Sequence, residues 1–493
     1  MRKAIIGAAL LSSLSVQASA ITFVNALAVP NGTDLSSGYG TGVNGNRFGG
    51  FGSDLVYDSV TQTYYGMTDR GPGGGLLNYA PRIQAFTLAT NSATGFTSSL
   101  SLTKTIVFTQ KDGKTPFNGL NPTLLNGDSS KLGASFDPEG MVRRSNGNFL
   151  VSDEYGPSVY EFDSNGVFIR AFKTPDNILP KNGTTPNFTD GRPTITTGRQ
   201  DNRGFEGLTL SNDGKTAYAV LQDPLVNEGD KDGRYSRNVR IVSFDVDTGE
   251  ATKQSIYQLE DVNDINARVT ANGGKGFDAK DQGRSIGVSS IVTLPNGQLM
   301  VLERDNRGVG VDDPTGAKVV GSKRVYLIDI NAASDASDTD LTGTNVLPID
   351  ISSVSKSLLL DIQAALKDAG ATVAEKMEGL SFGGYLDDGG ISLFVVTDND
   401  FSVTQDPLST FQSDVCTTGF GGVSSIVPLD SGCTTGDLIP TYVYSFRLSA
   451  AEARALGFGG AVPEPGNWAM MIAGFGLIGA QMRNRRKNRI ITA

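Results

Sequence analysis

Five times in the 493-residue chain an apolar strand enters a turn, and the strand that follows it ends on an acidic residue. The copies run from Ser53 to Asp69 and Arg70, from Asp137 to Asp153 and Glu154, from Gly204 to Asp223, from Gly287 to Glu303 and Asp305, and from Lys376 to Asp398 and Asp400. A fixed-phase repeat of strand–turn–strand units marks radially arranged blades, because each unit buries its apolar faces only against its neighbours. The expected fold is all-β: a single β-propeller of five or six blades with loop and short helical insertions. Equivalent positions of a propeller converge at one end of its central channel, so the recurring acids predict a ring of carboxylates there.

The chain contains no histidine. That absence excludes Ser-His-Asp hydrolases, Cys-His nucleophiles and the common zinc sites together. Chemistry falls to carboxylates, Lys, Arg, Tyr, Ser or a bound cation. The formal charge of −10 understates the acidity of the body: without residues 1–20 and 463–493, 35 basic and 51 acidic residues remain, a net charge of −16. Such a body repels nucleic acid, and a phosphate-bearing substrate needs a cation to mediate its approach. No nucleic-acid partner is expected.

Both ends read as addresses. Residues 1–20 open on Arg2 and Lys3, continue through a short apolar run to Leu11, and close on Ala18-Ser19-Ala20, the pattern of a secretory signal peptide read by the Sec machinery. At the other end Pro463-Glu464-Pro465 is followed by Trp468, a Gly-rich apolar run to Ala480, and Arg483, Arg485, Arg486, Lys487 and Arg489. An apolar helix with a basic stop leaves its tail on the cytoplasmic side. These parts, in this order, resemble the PEP-CTERM sorting signal, which implies removal by an exosortase. The implied location is the cell surface or extracellular matrix of a Gram-negative bacterium, with transient inner-membrane anchoring through a C-terminal apolar sorting helix. The domain reading is therefore 1–20 signal peptide, 21–460 propeller and 461–493 sorting signal. In an exported chain, Cys416 and Cys433, which share one Gly/Ser/Thr-rich loop, are expected to form a disulfide.

Between the ends, residues 53–110, 137–172, 204–258, 287–351 and 376–448 each supply about one blade, with Asn146-Gly147, Asn165-Gly166, Asp213-Gly214 and Asn296-Gly297 as tight turns. The alternating segment 21–29 is the natural partner of strand 441–448, joining the two ends of the chain. A sixth blade has room in the irregular stretches. Residues 174–203 read as a long loop, 259–286 as a polar segment with a short helix near Asp261–Ala267, and 352–369 as a helix with Ser/Asp start signals. Gly71 to Gly75 reads as a flexible turn; it lacks the Gly-Lys-Ser/Thr ending of a phosphate loop. Asp335, Asp338 and Asp340 read as a solvated loop.

The runs Ser135 to Gly140, Val151 to Pro157, Asn202 to Gly207, Val301 to Asp305, and Met377 to Gly379 with Asn399 to Phe401 resemble the phytase-like family, the esterase-like branch of phytases. The resemblance covers most of residues 50–450 and implies a β-propeller with phosphoester or ester hydrolase activity. The residues support a cation site on their own terms. Asp69, Glu139, Asp153, Glu154, Glu206, Glu303, Glu378 and Asp398 are the candidate metal ligands, and an all-oxygen set suits Ca²⁺. Glu139 and Glu206 are also the candidate catalytic acids. Arg70 and Arg304, with Arg203, are placed to hold phosphate oxygens, and Tyr155 and Lys376 to orient groups or move a proton. A plainer reading stands beside this one: a Glu-Gly pair bonds backbone N–H groups in a turn, with Gly supplying the turn's φ, and acid–Arg neighbours are ion pairs between blades. The leading expectation is a Ca²⁺-assisted hydrolase of a small phosphorylated or ester substrate. The alternatives are a non-catalytic module binding exopolysaccharide or another matrix component, and a lactonase-type metal-dependent propeller.

Overall fold

The computed structural model describes residues 21–125, 132–409 and 411–459. The expected leader and the apolar sorting segment lie outside the described residues. Among those described, no helix is long and apolar enough to cross a membrane.

Five four-stranded antiparallel sheets make the body. Blade 1 consists of Asp54–Asp58, Thr63–Met67, Arg82–Thr90 and Thr97–Val107, and blade 2 of Pro138–Arg143, Phe149–Asp153, Val159–Phe162 and Phe168–Ala171. Blade 3 is Phe205–Leu210, Thr216–Leu221, Asn238–Asp245 and Ala251–Gln258; blade 4 is Ile286–Thr293, Leu299–Asp305, Lys323–Asp329 and Ser355–Asp361. Blade 5 is Lys376–Tyr385, Ile391–Asp398, Thr441–Leu448 and, as its outer strand, Thr22–Val29. The first strand of each blade packs on the first strand of the next, and that of blade 5 packs back on that of blade 1. The ring therefore closes on five blades, with no sixth among the described residues. Thr22–Val29 pairs antiparallel with Thr441–Leu448, so both ends of the domain share one sheet, as expected.

Each inner strand carries an extra residue where it reaches the channel mouth. The register shifts at Glu139-Gly140, at Glu206, at Ser289 and at Glu378. In blade 1, Gly52 and Asp54 both pair with Met67 and leave Ser53 between them. A bulge bends its strand and re-aims a side chain that regular alternation would send elsewhere. Three glutamates and two serines thus stand at equivalent positions of the five blades. The glycine after each glutamate has a different task from the one expected. Gly140, Gly207 and Gly379 are absent from the positive-φ residues, so no turn conformation is being supplied. A Cβ on Gly140 would instead lie 2.5 Å from Leu208 N, one on Gly207 3.0 Å from Ile291 N, and one on Gly379 3.1 Å from Leu55 N. These glycines let neighbouring inner strands close on each other.

Two local expectations are corrected. Residues 352–369 are not one helix: Ser355–Asp361 is the outer strand of blade 4, and only Ile362–Asp368 is helical, capped by Asp361 accepting from Ala364 N at 3.0 Å. The open edge of Lys323–Asp329 supplies pairing that outweighs local propensity. Gly71 to Gly75 is not a loose turn, since Pro72 to Gly75 are all buried and turn tightly beneath the channel mouth, with Gly73 and Gly74 at positive φ. The helix near Asp261 is present as Val262–Ala271, with the Asp261 carboxylate accepting from Asn263 N. Within blade 5 the chain makes an excursion through a small sheet of Ser413–Thr417, Ser424–Pro428 and Asp437–Leu438, closed by the expected Cys416–Cys433 disulfide.

The far end of the channel is different in kind. Inner-strand residues of all five blades line an apolar cavity of about 540 Å³ there, among them Leu55, Val142, Leu208, Val292 and Phe382. Phe458, which follows the short helix Ala450–Ala455, joins its wall and packs on Phe382 with ring centroids 4.4 Å apart.

Candidate functional site

The bulges and the ends of the second strands converge on a chamber of about 310 Å³ at one mouth of the channel. Among the described residues, nine carboxylates and five cationic side chains line it, and none of the lining residues is aromatic. The excess of negative charge decides what can enter: an anionic ligand needs a cation already in place.

Among the described residues, three groups of carboxylates bring ligand-capable oxygens within 4.8 Å of one another. They are Asp69, Asp398 and Asp400; Asp69, Asp137 and Glu139; and Glu139, Glu154 and Glu206. Asp69 and Glu139 each belong to two groups, so the three form one chain, of which Asp69, Glu139, Glu154 and Glu206 line the chamber. Their internal neutralisation differs. Lys376 Nζ lies 2.8 Å from Asp398 and 2.6 Å from Asp400, so the first group already holds a cation. In the second, Asp137 accepts from Arg70 N at 2.9 Å and lies 3.5 Å from the Arg70 guanidinium. In the third, Arg203 stands 4.0 Å from Glu154, too far for a hydrogen bond, while Gln222 donates to Glu206 at 2.6 Å. Glu154 Oε1 and Glu206 Oε2 are buried with no hydrogen-bond partner. A buried carboxylate oxygen without a partner is costly, and a bound cation removes that cost. The Glu139–Glu154–Glu206 group is therefore the one best fitted to hold a hard divalent cation.

Cationic donors are open as well. Arg70 Nε and Nη1 and Arg304 Nε are buried without hydrogen-bond partners, although Arg70 Nη1 lies 3.5 Å from Asp137 and the other face of Arg304 is paired with Glu378. Burial of Arg70 works against its charge, but the surrounding acids hold it firmly protonated. Free guanidinium N–H groups beside a cation site are what a phosphate or carboxylate oxygen requires.

Without a bound cation, the electrostatics of the ring favour protons. Burial, then repulsion from Glu206, Asp137 and Glu154, pushes the Glu139 carboxyl well above its ordinary range; burial, then Glu154 and Glu378, does the same to Glu206. Burial and nearby acids raise Asp223 to about 6, Glu375 to about 7 and Asp400 to about 8. In the unfolded chain such groups titrate near pH ~4. Between about pH 4 and 8 the folded chain thus holds more protons than the unfolded one, and stability falls as pH rises through that window. In chelator, the melting temperature is expected to be higher at pH 5.5 than at pH 8, and added calcium should stabilise more at pH 8, where fewer protons compete for its ligands. A melting temperature that climbs with pH in chelator would count against this account.

Not every residue singled out in the sequence reaches the chamber. Asp69, Arg70, Glu139, Glu154, Glu206, Arg304 and Glu378 line it, with Arg203 and Lys376. Asp398 lies just beneath, held by Lys376. Asp153 does not take part: its oxygens accept from the backbone N–H groups of Asp137, Tyr155 and Gly156 and shape the turn below. Glu303 is elsewhere, bonded to Tyr257, Lys356 and Glu260 N between blades 3 and 4. Tyr155 is buried under the chamber with its hydroxyl donating to Gly119 O at 2.9 Å, and burial raises its phenol far from any role as a base. Asp137, Asp223 and Asp400 belong to the repeat copies but are not among the candidate ligands read from the sequence, although Asp137 stands in the Asp137-Pro138-Glu139-Gly140 run and Asp223 ends the third repeat.

Comparison with known proteins gives three findings. The family model described as "Phytase-like: Esterase-like activity of phytase" matches residues 46–401. An "Uncharacterized secreted protein" of Arthroderma benhamiae is 31% identical over 317 residues, which is 53% of this chain and 60% of that protein, so the chain spans about three fifths of that relative. Among solved structures, virginiamycin B lyase from Staphylococcus aureus aligns over 86% of this chain and 98% of its own at 9% identity and a TM-score of 0.30. The calcium-binding protein regucalcin from Agrobacterium tumefaciens aligns over 75% and 86% at 11% identity and a TM-score of 0.28. Likenesses this weak transfer no chemistry.

Proposed function

The chain belongs to the phytase-like family, and from that membership and the chamber we propose that it is an exported hydrolase that cleaves a phosphate ester or related ester with the help of calcium. The observation that carries the proposal is one cavity in which buried carboxylate oxygens of Glu154 and Glu206 and buried guanidinium N–H groups of Arg70 and Arg304 all lack hydrogen-bond partners. Glu139, Glu154 and Glu206 would hold the cation, with Asp69 and Asp137 as the adjoining set. A bound divalent cation supplies Lewis-acid polarisation of a phosphoryl or carbonyl oxygen and an acidified water. The protein's own groups do the rest. Arg70 and Arg304 orient the anionic group and oppose charge that builds on its oxygens. Glu378 fixes Arg304, and its second oxygen, Oε2, is unpartnered and able to accept a proton.

The absence of aromatic rings among the described residues of the chamber wall favours this reading over a saccharide-binding module. Export through the leader and the Sec machinery, and exosortase processing of the tail at 461–493, belong to the same proposal; a secreted relative supports export. The test is hydrolysis of phosphomonoester, phosphodiester, phytate, lactone and carboxylic ester substrates by the purified protein in calcium and in chelator. Calcium-dependent turnover of a phosphate ester is the expected result. Turnover of lactones alone would move the assignment to a lactonase. No turnover, with calcium still raising the melting temperature, would make the cation structural and the protein a matrix-binding module.

A further inference from the structure

One of the three carboxylate groups in the chamber already contains a positive charge. Lys376 Nζ sits 2.8 Å from Asp398 Oδ2 and 2.6 Å from Asp400 Oδ1, and those residues with Asp69 present oxygens within 4.8 Å of one another. The placement follows from the repeat. Lys376 stands two residues before the bulged Glu378, as Asp137 stands two residues before the bulged Glu139. At one equivalent position blade 2 therefore offers a ligand acid, and blade 5 a base. The station is firmly built: Asp400 also accepts from the Gln405 amide, and its N–H donates to Asp398 at 2.9 Å.

An ammonium and a divalent ion cannot share these oxygens, because like charges a few ångströms apart in a buried site repel strongly. We propose that Lys376 is a built-in counter-cation that occupies the Asp69–Asp398–Asp400 position, so that the native chamber takes divalent cations only at the other two groups. Removing the ammonium opens that position to one further divalent cation. The idea rests on the reading of the chamber as a cation site, and its consequence is specific. The chamber keeps one charge that chelators cannot strip, beside Asp69, a residue shared with the neighbouring cation group. An anionic substrate then meets a fixed positive charge on the blade 5 side and exchangeable ones towards blades 2 and 3.

The test is a count of bound calcium by equilibrium dialysis on the purified full chain. Lys376→Gln is expected to bind one equivalent more than the wild type, Lys376→Arg the same number as the wild type, and Lys376→Gln with Asp398→Asn the wild-type number again. Equal counts in wild type and Lys376→Gln, zero included, overturn the proposal, as does an extra equivalent in Lys376→Arg. The wild-type count separately judges the chamber: none in the wild type with one in Lys376→Gln removes the calcium-dependent reading and leaves this proposal standing. Should the variants not fold, wild-type crystals soaked in terbium decide the matter. Anomalous density at the Glu139–Glu154–Glu206 group, with none at Asp69–Asp398–Asp400, supports the proposal; density at the latter overturns it.

Discussion

Glu206→Gln is expected to lower calcium-dependent hydrolysis about 100-fold or more while raising the melting temperature of the metal-free protein. The opposite signs come from one cause. Glu206 is buried, repelled by Glu154 and Glu378, and left with an unpartnered oxygen, so its charge is a burden whenever no cation is bound. An amide of the same shape keeps the bond from Gln222, 2.6 Å in the native site, and removes the charge. The cation then has two carboxylates where it had three. Glu303→Gln is the contrasting experiment. Glu303 holds Tyr257, Lys356 and Glu260 N away from the chamber, so its loss should lower the melting temperature and spare turnover per folded molecule. Rates and melting curves of both variants, with and without chelator, check the pair; wild-type turnover in Glu206→Gln would remove Glu206 from the mechanism.

Gly119→Ala should destabilise the fold by about 3 kcal/mol or more. A Cβ on Gly119 would lie 1.6 Å from the carbonyl oxygen of Arg70 and 2.4 Å from its carbonyl carbon. Neither side can yield cheaply. Gly119 N donates to Tyr79 O at 3.0 Å, its carbonyl accepts from Tyr155, and Arg70 N is held by Asp137 at 2.9 Å. What relaxation occurs must move Arg70, so the KM for an anionic substrate should rise in whatever fraction remains folded. Gly32→Ala, where a Cβ meets nothing within 4 Å, is the matched control and should leave denaturant midpoints unchanged. A Gly119→Ala protein as stable as that control would mean the backbone here is far softer than its contacts imply.

Much of the fold was legible in the chain because the repeat fixes phase. The turn pairs, the acids at strand ends and the pairing of segment 21–29 with 441–448 all follow from it, and five blades are what the ring contains. Where the reading slipped, it slipped by one residue or by one scale. Glu303 and Arg304 are adjacent, and adjacent strand residues face opposite ways. The repeat position that lines the chamber in blade 4 is that of Arg304, a base, and the search for an acid landed on its neighbour. Asp137 was within reach of the same phase argument, since it stands two residues ahead of a bulged glutamate, as Lys376 does. The bulges themselves were invisible, because an inserted residue is defined only by its partner strand. The glycines after Glu139, Glu206 and Glu378 looked like turn residues for the same reason: the backbones they admit come from blades distant in sequence. Strand Ser355–Asp361 was misread as helix because its partner edge, not its own pattern, decides its form.

The described chain ends at the apolar mouth of the channel, where Phe458 meets Phe382, and the carboxylate chamber opens at the other mouth. Residue 459 therefore sits on the face opposite the acidic opening, with the depth of the propeller between them. Under the proposed sorting of the tail, a mooring attached on that face would leave the opening turned to the surrounding medium, and a diffusing substrate would reach it without passing the mooring. In such a layout a tether would decide where the protein works and have no hand in how.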